Sequence, residues 1–168
     1  MSEFANVTSI PIIRAFETAV VVFQDELVFV VPPSHPLATA GQVSIRQLGA
    51  ESFVAHIVPS PYREKVIQLF RRHKTPLHMD LELPTLQAIK QFVAMGNGVA
   101  LIPEISVETE IARGELIRIP VRELQLKRKL RLIYRKQANL SHAARAFLKV
   151  VEAVAAQRKG RYRFQRES

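Results

Sequence analysis

Between Pro84 and Pro103 the chain reads PTLQAIKQFVAMGNGVALIP, and these twenty residues hold a helix start, a helix, a glycine stop and an apolar strand. Thr85 is suited to cap the free N–H groups of a helix whose apolar side is Leu86, Ile89, Phe92 and Val93. Gly96 ends that helix. Gly98 to Ile102 then runs without a polar residue to Pro103, which predicts a strand covered on both faces, stopped where proline has no N–H to give a ladder. Helix, glycine turn and buried strand are the parts of a mainly parallel α/β sheet.

The flanking sequence continues the pattern. Phe16 to Phe23 is strand-like, Asp25-Glu26 is a charged break, and Leu27 to Val31 is a buried strand ended by Pro32, Pro33 and Pro36. Ser44 caps a short helix ending near Gly49, and Phe53 to Val58 is the next strand. Ser60 and Pro61 then open a helix with Val66, Ile67, Leu69 and Phe70 on its apolar side, ending before Pro76. Leu77 to Leu83 alternates apolar and polar residues, the period of a strand with one wet face. Beyond Pro103 the expected elements are a short helix from Ile105 to Arg113, strands at Leu116 to Val121 and Leu130 to Tyr134, and a final helix opened by Ser141. That helix carries Ala144, Phe147, Leu148, Val151 and Val154 at helical spacing.

Composition narrows the chemistry. With no cysteine among 168 residues, disulfides, thiolate catalysis and cysteine zinc sites are excluded. The apolar runs at Ala19 to Val22 and Leu27 to Pro33 are too short to span a bilayer, and no signal-peptide pattern opens the chain, so a cytoplasmic protein is expected. The net charge of +9 is unevenly spread. Residues 1–124 carry eleven basic and thirteen acidic side chains, residues 125–136 six basic and none acidic, and residues 157–168 five basic and one acidic. The excess belongs to one late strand and the tail, which fits a solvated strand edge and a basic extension better than a nucleic-acid-binding body.

Enzyme signatures are missing. No G-x-S-x-G, H-E-x-x-H or phosphate-loop motif occurs, and His35, His56, His73, His78 and His142 have no metal-binding spacing, so neither catalysis, metal nor cofactor is expected. The GNG at Gly96 to Gly98 follows a helix and precedes a strand, the reverse of a dinucleotide fingerprint.

Several segments in their order carry a resemblance: DELVFVVPPSHPLA from Asp25, VSIRQL from Val43, FVA from Phe53, SPYREKVIQLF from Ser60, LQAIKQFVAMGNGVALIPE from Leu86 and LSHAARAFLKVVE from Leu140. Over about 130 residues the chain is similar to the effector-binding domain of LysR-type transcriptional regulators. The resemblance implies an α/β, periplasmic-binding-protein-like fold of two lobes, with a small-molecule effector in an interlobe cleft. On that pattern the second lobe, residues 32–125 with the crossover segments, is complete. A partial first lobe is made from residues 1–31 and 126–157, and residues 158–168 are a basic, disordered tail. Only 24 residues precede Asp25, so the family's winged helix-turn-helix and the opening of its first lobe are expected to be absent, leaving DNA contact to a reader outside these residues.

The resemblance also nominates a site. Thr85 matches a polar residue at a helix N-terminus facing the effector cleft, where N–H groups and the helix dipole favour a carboxylate; it reads equally as an ordinary cap. Ser60 follows the same logic, and Arg63 one turn later could pair with an anion or simply be solvated. His56 precedes that helix and could line the cleft or be a half-exposed histidine, while Ile102 and Pro103 offer apolar wall or plain core. The expected partners are a small carboxylate effector and further copies of the chain, with no membrane. In the implied dimer the Ser60 to His73 helix meets the Ser141 to Ala156 helix of its partner. The function implied is effector sensing and oligomerisation in transcription regulation; a solute-binding module or a protein-interaction remnant are the alternatives.

Overall fold

The computed structural model describes residues 18–135, 139–157 and 165–167. In chain order the elements are β1 (Thr18–Val31), β2 (Ser52–His56), α1 (Pro61–Arg72), β3 (His78–Leu83), α2 (Leu86–Ala94), β4 (Ala100–Pro103), α3 (Glu108–Ala112), β5 (Ile117–Ile119), β6 (Lys127–Arg135), α4 (His142–Gln157) and β7 (Gln165–Glu167). Short 3-10 turns occupy Pro36–Thr39, Ile45–Ala50 and Glu104–Ser106. Residues 26–128 form one compact unit, and the described residues up to Asp25 together with those from Lys129 form another. Among the described residues no helix is long and apolar enough to cross a membrane.

The unit of residues 26–128 is built on the apolar half of β1. Leu27, Phe29 and Val31 enter one core cluster with Phe53, Val66 and Phe70, while Val28 and Val30 enter a second with Val54, Ile89 and Ile102. Both faces are thus covered, which is why LVFVV needs no polar residue. Phe53 links β1 to α1: its ring lies 6.0 Å from Phe29 and 5.6 Å, edge-on, from Phe70.

The expected parallel sheet is only partly found. β2 and β3 are parallel, and Phe53 bridges Val99 in the same sense, but β1 pairs antiparallel with both β4 and β5. An apolar run shows that both faces are covered; it does not encode the direction of the neighbouring strand. The charged break at Asp25-Glu26 is also corrected, because β1 runs through it. Glu26 is held by Arg118 at 2.6 Å across the sheet, and Asp25 is buried. The Ile105 to Arg113 helix is divided at Val107 into a 3-10 turn and α3, and the Leu116 to Val121 strand shrinks to β5, ahead of Pro120.

Glycine geometry fixes the approach to β4. Gly96 (φ +85°) and Gly98 (φ +126°) both need left-handed backbone, and a Cβ at Gly98 would stand 2.8 Å from the Ser52 carbonyl oxygen. That close approach lets Val99 N–H donate to Ser52 at 2.9 Å and Val54 N–H donate to Val99 at 2.9 Å.

In the other unit, the first half of β1 pairs antiparallel with β7, Val20 opposite Glu167. Of the tail expected to be disordered, residues 165–167 are this strand, and residues 158–164 and 168 lie outside the described residues. So do residues 1–17, including Phe16 of the strand-like segment. Ser141 caps α4 as expected, its Oγ accepting Ala144 N–H at 3.2 Å. The stripe on α4 divides: Ala144, Leu148 and Val151 are half-buried, whereas Phe147 and Val154 are exposed, as is Val150 beside them, which the predicted stripe did not include.

Candidate functional site

The register of the parallel pair sets two helix starts at one edge. Ala55 lies opposite Glu82 and His56 opposite Leu83, so β2 and β3 end together. β2 leads to Ser60, whose Oγ accepts Arg63 N–H at 3.1 Å and opens α1; β3 leads to Thr85, whose Oγ1 accepts Ala88 N–H at 3.1 Å and opens α2. The positive ends of two helices therefore follow the carboxyl ends of two parallel strands, the common position of ligands in α/β sheets.

A cavity of about 280 Å³ opens here, and all its lining residues belong to the 26–128 unit. Its apolar wall is Phe53, Val66, Leu77, Met79 and Leu101, continued by Leu86, Ile102 and Pro103. The polar side chains lining it are His56, Ser60, Tyr62, Arg63 and Arg128; among the described residues no carboxylate does. His56 Nδ1 accepts Val58 N–H at 3.3 Å, so its Nε2 is the donor. Arg63 donates to the His56 carbonyl at 3.1 Å and is paired with Glu82. Arg128 stacks on Tyr62, its guanidinium carbon 5.9 Å from the ring centroid, and Lys65 Nζ stands 5.4 Å from the same ring. The site thus offers hydrogen-bond donors and positive charge against hydrocarbon, which suits a ligand with acceptor oxygens and an apolar body.

Residues 15–156 match the family model of the LysR substrate binding domain. The chain belongs to this family. Its relatives are transcriptional regulators. The LysR substrate binding domain here is 30% identical over 144 residues to the RuBisCO operon transcriptional regulator of Allochromatium vinosum, covering 85% of this chain and 48% of that protein. It is 34% identical over 125 residues to the uncharacterized HTH-type transcriptional regulator YeiE of Escherichia coli, covering 74% of this chain and 42% of that protein. It therefore spans about half the length of these curated relatives or somewhat less. The regulatory domain of CcmR from Synechocystis, solved in complex with 2-PG, superposes with a TM-score of 0.67 at 30% identity, covering 82% of this chain and 68% of that one. The α/β, periplasmic-binding-protein-like architecture follows.

Five residues nominated from the sequence of this LysR domain, His56, Ser60, Arg63, Ile102 and Pro103, line one cavity. Thr85, expected at its centre, is an exposed cap that does not line it; the wall is formed by its neighbour Leu86. The cap faces its own helix turn, and which adjacent residue meets the cavity depends on how α2 packs, through Ile89 and Val93, on the sheet. Sequence reasoning missed Tyr62 and Arg128. Arg128 sits in the KRKLRL run, where alternation gives a face but not what lies opposite it; Tyr62, directly after Pro61, was legible as a first-turn residue of a helix entering the site.

Proposed function

We propose that this domain senses a small organic carboxylate in the 26–128 cavity, within a cytoplasmic LysR-type regulator whose DNA reader lies outside these residues, and that it catalyses no reaction. The supporting observation is the polar lining itself: His56, Ser60, Tyr62, Arg63 and Arg128, with two guanidinium groups and no carboxylate, at the helix ends following β2 and β3. Acids meet donors there, while cations find no carboxylate on the lining to pair with. We further propose that the two compact units are the two lobes of the family, that Ser60 is a ligand donor, and that Thr85 acts by holding the start of α2. Effector binding would shift the population of domain conformations, and that shift would be passed to promoter-bound copies through oligomer packing. Isothermal titration against small carboxylates and 2-PG tests the sensing role: binding is expected for the parent and weakened binding for Ser60→Ala. Binding that Ser60→Ala and a cavity-filling Ala55→Phe both leave unchanged, in folded proteins, removes the site from this cavity.

The exposed stripe Phe147, Val150 and Val154 on α4 favours a homo-oligomer, with α4 set against α1 of a second copy.

A further inference from the structure

We infer that Glu82, which does not itself line the cavity, is a positioning residue for the ligand: it holds the Arg63 guanidinium at the cavity wall in a fixed orientation, ready for an oxyanion; this rests on the effector-binding reading above. Arg63 sits in the first turn of α1, yet its side chain reaches both parallel strands. It donates through Nη1 to the His56 carbonyl of β2 at 3.1 Å and through Nη2 to the Glu82 carboxylate of β3. The register makes this reach possible. Ala55 lies opposite Glu82 and His56 opposite Leu83, so the two acceptors are one step apart in the ladder, where both strands end. The other end of the arginine is tied as well, because Ser60 Oγ accepts its backbone N–H at 3.1 Å.

The tie leaves the donor side of Arg63 in use for a ligand. A guanidinium has five N–H groups, and among the described residues its bonds to His56 and Glu82 engage two of them. Arg63 lines the cavity and Glu82 does not, so a ligand meets the arginine and not the carboxylate that holds it.

Two opposing effects set the sign of what Glu82 does to binding. Its charge repels an acid, but the Glu82 side chain is 38% exposed and that of Arg63 25%, so water screens much of the repulsion. The tether works the other way. One bond to the His56 carbonyl is a pivot about which the planar group can swing, whereas a second bond to Glu82 fixes its plane. A guanidinium fixed beforehand loses little rotamer freedom when the ligand arrives, and that gain outweighs a screened repulsion.

Isothermal titration of this chain with acetate, benzoate, 2-PG and inorganic phosphate selects the anion that binds the parent most tightly, and the variants are then compared with that probe. Glu82→Leu should weaken it about tenfold, while Glu82→Gln, which keeps an acceptor oxygen for Nη2 without the charge, should stay within about threefold of the parent. If Glu82→Leu does not fold, Glu82→Ala takes its place. Arg63→Leu should weaken the probe at least about tenfold, and in that background Glu82→Leu should have no further effect, since its action passes through the arginine. A merely structural role for Glu82 would weaken the probe by the same factor in both backgrounds, and that result overturns the inference. Tighter binding by both Glu82 variants, or equal weakening by both, overturns it too and leaves the sensing role standing. Anion binding indifferent to Arg63→Leu and to Ala55→Phe would overturn the inference together with the sensing role of this cavity, and so would the absence of binding by every probe at millimolar concentration.

Discussion

Ser60 and Thr85 carry the same local signal and make the same 3.1 Å capping bond, yet only Ser60 lines the cavity. Replacing either by alanine should cost about 1 kcal/mol of stability, read as a lower urea midpoint, while serine at position 85 keeps the cap. Only Ser60→Ala is expected to weaken a bound acid, and titration of both variants separates capping from ligation. Lys90 and Glu110 form a second residue-scale lock: Lys90 Nζ donates to Glu110 at 2.6 Å and to the Ser106 carbonyl at 2.9 Å, both side chains nearly buried. Burial pushes the Glu110 carboxyl up, but the hydrogen bond and charge of Lys90, together with a backbone hydrogen bond and the charge of Arg113, outweigh it and hold the group below its ordinary 4.5. Glu123 is lowered too, chiefly because its carboxylate accepts Ile45 N–H at 2.9 Å. A carboxyl with a depressed folded-state pKa stabilises the fold fully above its unfolded value, and that contribution fades as pH falls through the folded value. Stability from these two groups should therefore be flat from neutral pH down to the ordinary glutamate range and decline below it, in urea titrations run at successive pH values. Lys90→Met should reduce the Glu110 share of that decline and cost about 2–3 kcal/mol at neutral pH, because it leaves a nearly buried carboxylate without its hydrogen-bonded cation.

At the scale of elements, β2, α1 and β4 hold the site in place through contacts that cross the sequence. The Phe29, Phe53 and Phe70 rings tie β1 to β2 and α1, and the Gly98 turn brings Val99 onto β2. Gly98→Ala should cost roughly 2–3 kcal/mol, since it combines a left-handed φ with a Cβ against the Ser52 carbonyl, whereas Ala at Gly41, where nothing lies within 4 Å, should be close to neutral. Thermal melts of the two variants check the contrast. On α4 the exposed Phe147 side chain, 57% accessible, lies far from both glycine turns in the sequence and makes a separate prediction. The parent should sediment above monomer mass at tens of micromolar, and Phe147→Glu should shift it towards monomer without losing helix content. A parent that is monomeric at that concentration would remove the proposed pairing.

For the molecule as a whole, a ligand that binds only the folded chain stabilises it by mass action. An effector at 100 times its dissociation constant should contribute about 2.7 kcal/mol and raise the melting temperature by roughly 5–10 °C for a chain of this size, which differential scanning fluorimetry reads directly. What the sequence determined by itself is local. The caps at Ser60, Thr85 and Ser141, the glycine stop at Gly96 and the apolar stripe of α2 follow from hydrogen-bonding groups and periods confined to one turn or one strand. The uninterrupted LVFVV of β1 likewise required two covered faces, because a wet face would have needed alternating polar residues. Tertiary structure alone decided that β1 lies antiparallel between β4 and β5, and that the Asp25-Glu26 pair stays inside a strand. It also decided that Arg128, distant in sequence, stacks on Tyr62 beside Ser60. Strand direction, the partner of a charge and the residue that finally meets a cavity depend on groups far apart along the chain, and a local pattern carries no record of which of them will become neighbours.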